Sequence, residues 1–264
     1  MKTALITANE PGRVPQVYLD KIRNSGMQLS CHDCKTEEEL IEFASDADII
    51  WLFGSPKALT DNALRNLPRC KVLFRSGSGV DCIPWDTATD LGMAICNSPE
   101  SIAEAVAEHS VALLLAIAKK IPLHNQAIAD GDWLTAEKVS AQHISNRTLG
   151  LIGYGRIAKL TEKMLSGFNL KVVHHDPFSK HSTDLYELLQ VSDFISLHCP
   201  LTPETRHLLS EKEFKLMKQN ALLINTSRGE VIDEKALIET LNNKEIQGAA
   251  LDVTAVEPLQ KDNP

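Results

Sequence analysis

The stretch TLGLIGYGRIAKL, residues 148–160, decides the fold of the second half of the chain. It begins with an apolar run typical of a buried strand and continues into a segment typical of a helix. Between the two, Gly153, Gly155 and Ala158 form the pattern G-x-G-x-x-A. In a strand–turn–helix unit, such residues allow a tight turn, close approach of a pyrophosphate and close helix packing. The stretch therefore predicts a dinucleotide-binding turn, although a plain turn in an α/β sheet is the alternative on the glycines alone.

A carboxylate follows the next predicted strand, at residues 170–174. Asp176 stands about 20 residues beyond the glycines, where a carboxylate can accept hydrogen bonds from both adenosine ribose hydroxyls of NAD. The same carboxylate would repel the 2′-phosphate of NADP. The neighbouring His174 and His175 point to opposite faces of a strand, so we do not expect them to bind one metal ion. Strand, helix and acid together predict an NAD-binding domain, with NAD favoured over NADP.

Short apolar runs and amphipathic segments alternate along the rest of the chain, which is typical of parallel sheets covered by helices. A break at residues 97–99 precedes a long predicted helix at 101–121, which we interpret as a crossing between domains. The other predicted strands lie at 4–7, 48–53, 71–75 and 93–96 before this helix, and at 149–152, 194–197, 221–224 and 249–253 after it.

The overall composition fits a globular protein that handles small molecules. Of 264 residues, 43% are apolar, and 27 basic against 35 acidic residues give a net charge of −8. Such a chain lacks the basic surface of a protein that binds nucleic acid or anionic membranes. The apolar runs at the N-terminus and at residues 111–118 are too short for a signal peptide or a membrane span. We therefore expect a cytoplasmic protein with no nucleic-acid partner and no membrane partner.

The six cysteines are too scattered to form a disulfide scaffold. Cys31, His32 and Cys34 could form half of a zinc site, but no second Cys/His pair stands at a suitable spacing. We therefore predict reduced thiols and no metal site.

Six segments, taken in order, resemble the D-isomer-specific 2-hydroxyacid dehydrogenase family, which includes phosphoglycerate dehydrogenases and glyoxylate/hydroxypyruvate reductases. The resemblance implies an α/β fold of two Rossmann-like or flavodoxin-like domains with parallel sheets: a substrate domain at 1–98 and an NAD-binding domain at 99–264. It places the active site in the cleft between them and implies a homodimer built on the nucleotide domain. The segments are RSGSGVD (75–81), AVAEHSVALLLA (105–116), GLIGYGRIA (150–158), HCPLTPETRHLL (198–209), NTSRGEVID (225–233) and GAALDVTAVEP (248–258).

The resemblance also implies a reaction and a set of cofactor contacts. The reaction is that of an oxidoreductase acting on CH–OH donors, which transfers a hydride between NAD(H) and a small D-2-hydroxy acid or 2-keto acid. Asp252 matches the position that meets the nicotinamide carboxamide. The implied cofactor-binding residues are Gly153, Gly155, Arg156, Ile157, Asp176, Cys199, Pro200, Thr205, Thr226 and Asp252.

Substrate binding requires a cation for the α-carboxylate. Arg228 follows a predicted strand of the nucleotide domain, where open α/β sheets bind ligands, and its planar guanidinium suits a bidentate carboxylate contact. A surface arginine in a salt bridge is the alternative. The backbone N–H groups of Ser78 and Gly79 are predicted to meet the same carboxylate, although that loop alone could be merely a turn.

Glu257 matches the family's catalytic glutamate, which orients a histidine and raises its pKa so that it serves as acid and base. In the family that histidine lies downstream of the Glu-Pro pair, and no histidine follows Glu257 here. The expectation is that C-terminal residues are missing, that the first domain is consequently incomplete, and that it exposes an apolar patch. His109 is interpreted as structural or interface-forming, and neither His198 nor His207 stands where the resemblance places the base.

Two other functions are weighed beside the dehydrogenase. The same fold serves corepressors in which dinucleotide binding controls dimerisation and partner recruitment. Alternatively, the chain binds NAD but is catalytically dead for lack of the base. The identity of the 2-hydroxy acid and the direction of the reaction are left open.

Overall fold

The computed structural model describes residues 1–7, 14–138 and 140–264. They form two compact units, Met1–Ile102 and Ala103–Pro264. The predicted domain boundary after residue 98 lies close to this division, which falls within the first turns of a 20-residue helix, α5 (Pro99–Ala118). The substrate role of the first domain stays a prediction.

The first unit contains a five-stranded parallel sheet with the strand order β2-β1-β3-β4-β5. Its elements are β1 (Lys2–Thr7), α1 (Gln16–Asn24), β2 (Gln28–His32), α2 (Glu37–Ala44), β3 (Ile49–Phe53), α3 (Asp61–Arg65), β4 (Val72–Ser76), α4 (Trp85–Asp90) and β5 (Ala94–Asn97).

The two faces of this first sheet are covered unequally. On one face, Ile6, Ile50 and Leu73 are fully buried in a large apolar cluster with residues of α2, α3 and α4. On the other face, α1 contributes Leu19, while Trp51 on β3 is only partly buried. The apolar patch expected on this domain stays a prediction.

The second unit contains another five-stranded parallel sheet, in the order β10-β9-β8-β6-β7. The predicted fold class, α/β with two parallel-sheet domains, is therefore confirmed. Its elements after α5 are α6 (Ile121–Ala129), α7 (Trp133–Lys138), β6 (Thr148–Ile152), α8 (Arg156–Met164), β7 (Lys171–His175), α9 (Leu185–Val191), β8 (Phe194–Leu197), α10 (Glu211–Phe214), β9 (Leu222–Asn225), α11 (Glu234–Asn242) and β10 (Gly248–Leu251).

Each predicted strand is found, with its ends shifted by at most about two residues. Strand β2 was not predicted. It is an edge strand whose residues are exposed, except that Leu29 is partly buried. A polar edge strand lacks the apolar alternation by which strands are recognised.

The long predicted helix is shorter than expected. It ends at Ala118, and Lys120 adopts a left-handed conformation (φ 54°) before α6 begins at Ile121. By length and composition α5 could cross a membrane. However, Leu114 and Ala118 pack in the core of the second unit, so one face of α5 is part of that core.

Candidate functional site

The predicted cofactor residues lie just beyond the carboxyl ends of the strands of the second sheet. Ile152 is in register with His175 and with Leu197, and Leu197 and Leu251 are both in register with Asn225. The five strands therefore end together at one edge. From β6 the chain passes to β7 on one side of β6 and then to β8 on its other side, so the strand order reverses at β6. Ligands bind at such a switch point. The residues that follow these ends are Gly153, Asp176, Cys199, Thr226 and Asp252.

Gly153 and Gly155 lie at the turn between β6 and α8. Gly153 has a φ of 83°, and a Cβ atom there would lie 2.6 Å from the backbone nitrogen of Cys199. Gly155 is the N-cap of α8, and no heavy atom lies within 4 Å of the position its Cβ would take. This open space beside the first turn of α8, where Arg156 and Ile157 lie, fits a pyrophosphate approaching the backbone. Ala158 is fully buried in the core.

Asp176 lies beside the glycine turn and is held by backbone N–H groups. Its Oδ2 accepts from the amide of Tyr154 at 2.7 Å, and its Oδ1 accepts from the amide of Phe178 at 2.8 Å. The carboxylate is thus oriented at the end of β7, where a ribose would be bound. Together with the glycine turn, it fits a dinucleotide.

Asn225 shapes the loop that carries Arg228. It is fully buried at the end of β9, and its Oδ1 accepts from both the amide and the hydroxyl of Ser227, at 2.9 and 2.8 Å. Its Nδ2 donates to the carbonyl oxygen of Arg228 at 2.9 Å, and its carbonyl accepts from the amide of Asp252. No role was predicted for Asn225. A polar side chain at the end of an apolar strand is the sequence signal that could have identified it.

Glu257 and Arg228 belong to segments that pack on each other. A Cβ atom on Gly229 would lie 2.0 Å from the carbonyl carbon of Thr254, so these two backbones are in direct contact. Glu257 is exposed, and its Oε1 accepts from the amide of Thr254 at 3.3 Å. The structure therefore brings together the loops of the two predicted catalytic residues.

A carboxylate with no predicted role fastens the Glu257 segment to the rest of the unit. The two oxygens of Glu234, the first residue of α11, accept from the amide of Ala255 and from the side-chain amide of Asn263, both at 2.8 Å. Glu257 consequently lies between Ala255 and Asn263, which are both hydrogen-bonded to Glu234.

Two predicted cofactor residues contact helix α5. Thr226 forms a hydroxyl–hydroxyl hydrogen bond of 2.8 Å with the buried Ser110. Asp252 lies 3.3 Å from Nε2 of His109, and about half of each side chain is exposed. His109 therefore contacts a predicted cofactor residue, and its structural or interface-forming role stays a prediction.

The loop after β8 is stabilised from within. The Thr205 hydroxyl donates to the carbonyl of Pro200 at 2.6 Å and accepts from the amide of Thr202. Burial raises the pKa of the Cys199 thiol to about 11, so it is protonated and is not a nucleophile. Burial lowers the pKa of His198 to about 4, so its ring is neutral at neutral pH.

In the first unit, Ser78 and Gly79 lie in the loop that follows β4. The side-chain amide of Asn97 donates to the carbonyl of Ser78 at 2.7 Å. The guanidinium of Arg75, which is 9% exposed, donates to the carbonyls of Gly54 and Gly79 and to the Ser55 hydroxyl. Because the carbonyls of Ser78 and Gly79 both accept hydrogen bonds, the loop has a fixed shape.

Within residues 1–7, 14–138 and 140–264, no group of three His, Cys, Asp or Glu side chains could hold a metal ion. Cys31 is exposed whereas Cys34 is buried.

Residues 111–264 match the model of the family described as D-isomer specific 2-hydroxyacid dehydrogenase, NAD binding domain. This match covers more than half of the chain and includes every predicted cofactor residue.

Individual relatives agree with the family match. A D-3-phosphoglycerate dehydrogenase from Methanocaldococcus jannaschii is 37% identical over 87% of this chain, which spans 45% of that protein's length. A glyoxylate reductase from Thermococcus litoralis is 39% identical over 83% of this chain and 70% of that protein. Among solved structures, an acyclic imino acid reductase in complex with NADPH and D-Arg is 33% identical, with a TM-score of 0.90 over 100% of this chain and 85% of the other.

Proposed function

Because the chain belongs to the D-isomer specific 2-hydroxyacid dehydrogenase family, we propose that it transfers a hydride between NAD(H) and a small D-2-hydroxy acid or 2-keto acid. Membership confirms the resemblance predicted from the motifs, and NAD is the cofactor of the matched domain. The observation that carries the proposal is the edge of the second sheet, where the glycine turn, Asp176 and the Arg228 loop follow strands that end in register.

The residues at this edge divide the binding of NAD among them. When bound, the nicotinamide ring supplies or accepts the hydride. Gly155 and the first amides of α8 would hold the pyrophosphate, because the space beside Gly155 is open. Asp176 would accept hydrogen bonds from the adenosine ribose, and Asp252 would hold the nicotinamide carboxamide.

Arg228 is the proposed anchor of the substrate. Its guanidinium can bind a carboxylate through two parallel hydrogen bonds and polarise a neighbouring carbonyl oxygen. The Asn225 contacts support this role, because they hold the backbone from which the side chain projects. The predicted part of Ser78 and Gly79 in binding the same carboxylate stays a prediction.

Glu257 is proposed to orient the histidine that exchanges the hydroxyl proton. A carboxylate beside an imidazole fixes its orientation and favours its charged form. His198 fits the base poorly, because burial lowers its pKa to about 4. The contacts that Glu234 and Gly229 make with residues 254–263 support a fixed position for Glu257.

We also propose a homodimer formed through the nucleotide-binding unit. Helices α6 and α7 expose large apolar side chains, of which Trp133 is 70% exposed and Leu134 is 66% exposed. Such a surface is typical of an interface. Sedimentation should show a dimer, and a W133D/L134D variant should sediment as a monomer that still binds NADH. A monomeric native chain would contradict this proposal.

A cytoplasmic location, without nucleic-acid or membrane partners, is proposed on the basis of the net charge of −8. The corepressor alternative is not favoured, since the relatives described above are named as dehydrogenases or reductases.

The activity is tested by following NADH consumption with a panel of 2-keto acids, including glyoxylate and hydroxypyruvate. In a form of the protein that carries the histidine oriented by Glu257, we expect turnover with at least one of them. An R228A variant of that form should lose about 100-fold or more in kcat/KM, since it removes the carboxylate anchor. R228K is the matched control, because it keeps the charge but loses the bidentate contact.

Calorimetry with NADH, run beside the turnover assay, separates the dehydrogenase from a chain that only binds. NADH binding without turnover on any 2-keto acid would favour the binding-only alternative. Failure to bind NADH would contradict both.

A further inference from the structure

Tyr154, the residue between the two glycines, has an aromatic ring that is held on three sides. The ring stacks on the imidazole of His174, with centroids 3.8 Å apart and planes within 9°. The ammonium of Lys159, a residue of α8, lies 5.4 Å from the ring centroid. The phenol hydroxyl donates to Glu162, one turn further along α8. A side chain with these three contacts restrains the backbone to which it is attached.

That backbone holds Asp176. The amide of Tyr154 donates to Oδ2 of Asp176 at 2.7 Å. The position of the Tyr154 ring therefore sets the position of one of the two amides on which the ribose carboxylate rests.

His174 connects this amide to the second one. Its Nε2 lies 2.7 Å from the hydroxyl of Ser179, whose amide donates to the carbonyl of Asp176. The turn from Asp176 to Ser179 includes Phe178, whose amide donates to Oδ1 of Asp176 at 2.8 Å. The imidazole thus contacts both sides of the cradle around the carboxylate.

A hydrogen bond to Glu162 keeps the Tyr154 ring neutral at neutral pH, and burial keeps the His174 ring neutral. The hydrogen bond to Glu162 raises the pKa of Tyr154 to about 12. Burial lowers the pKa of His174, against the opposing effects of Glu162 and Asp176 and with the help of His181 and Lys159. The contact is therefore a stack of two uncharged rings, and its strength comes from shape and apolar area.

We propose that Tyr154 is a positioning residue that, together with His174, sets the preference for NAD over NADP by fixing the Asp176 carboxylate. The inference rests on the proposed function, because it requires a dinucleotide at this edge. A fixed carboxylate accepts two ribose hydroxyls and repels a 2′-phosphate. A carboxylate that moves away loses both effects, which weakens NADH binding and relieves the repulsion of NADPH. Of two solved structures similar to this chain, one contains NADPH and the other NAD, so similar folds accept either cofactor.

The test is to measure the dissociation constants of NADH and NADPH for the 264-residue chain and three variants. In Y154A and in H174A, we expect the ratio of the NADPH constant to the NADH constant to fall about five- to twentyfold, mainly through weaker NADH binding. Y154F keeps the stack and loses only the Glu162 contact, so its ratio should stay within about threefold of the native value.

A double-mutant cycle with D176A separates positioning from general damage. D176A should remove most of the preference, and adding Y154A to it should change the ratio by less than about twofold. Equal weakening of NADH and NADPH in Y154A and H174A, at an unchanged ratio, would overturn the proposal. A native chain that binds NADPH but not NADH would also overturn it, whereas binding of neither cofactor would contradict the proposed function itself.

Discussion

At the scale of single residues, three positions show how much of the site depends on close backbone contact or on burial. Gly153 packs against the loop after β8, Gly229 packs against the segment of Glu257, and His198 is partly buried at the end of β8. The sequence predicted a turn at Gly153, because the glycine pattern has a known mechanical meaning. It could not predict the Gly229 contact, because the two backbones meet only after the sheet has formed.

G229A should destabilise the protein. The added Cβ would overlap the Thr254 backbone, so the segment that carries Glu257 must move. We expect the free energy of unfolding to fall by about 2 kcal/mol or more, measured by chemical denaturation. G155A is the matched control, because open space surrounds that position. It should keep near-native stability but weaken NADH binding; equal stability of G229A and G155A would contradict the close packing.

His198 should make stability depend on pH. Its pKa is about 4 when folded and 6.5 in the reference state, so the unfolded chain binds the additional proton between these values. Stability is therefore fully present above a pH of about 6.5 and is lost as the pH falls towards 4. We expect a loss of about 1–2 kcal/mol, since the residue keeps some solvent exposure that screens the charge.

The measurement is the unfolding free energy of the native chain and of H198N across this pH window, since other groups titrate in both proteins. The difference between the two curves should decrease on acidification. Parallel curves would show that His198 does not contribute.

At the scale of elements, strands with buried apolar runs were predictable and exposed or interrupted elements were not. β8 and β9 are buried along their whole length and are read directly from their apolar residues. β2 was not predicted because its side chains are mostly exposed and show no apolar pattern. Pairing with the neighbouring strand holds it at the sheet edge. The end of α5 was misplaced because apolar residues continue past Ala118 into α6, while the left-handed Lys120 breaks the helix.

The buried stripe of α5, formed by Ala103, Ala107, Ser110, Leu114 and Ala118, should not accept larger residues. Ala107 is fully buried, whereas Ala105 on the same helix is exposed. A107L should lower the unfolding free energy by about 1–3 kcal/mol through overpacking, measured by chemical denaturation. A105L is the matched control and should stay within about 0.5 kcal/mol of the native chain. A similar loss in both variants would show that the stripe is assigned to the wrong face.

At the scale of the whole molecule, the alternation of strands and helices predicted two parallel-sheet units, and both are found. Five of the six motifs that identified the family mark a turn or strand end that the chemistry requires, and the sixth, residues 105–116, lies within α5. The sequence did not identify the residues that hold the site in shape, Asn225, Glu234 and Tyr154. Their partners are distant in the chain or are backbone atoms. Neither kind of contact produces a residue spacing that can be recognised in the sequence.

Titration of the 264-residue chain with NADH decides whether the edge of the second sheet is a cofactor site. We expect saturable binding of one NADH per chain, weakened about tenfold or more in D176A, because the carboxylate accepts both ribose hydroxyls. Absence of saturable binding, or an unchanged dissociation constant in D176A, would contradict the assignment of this edge.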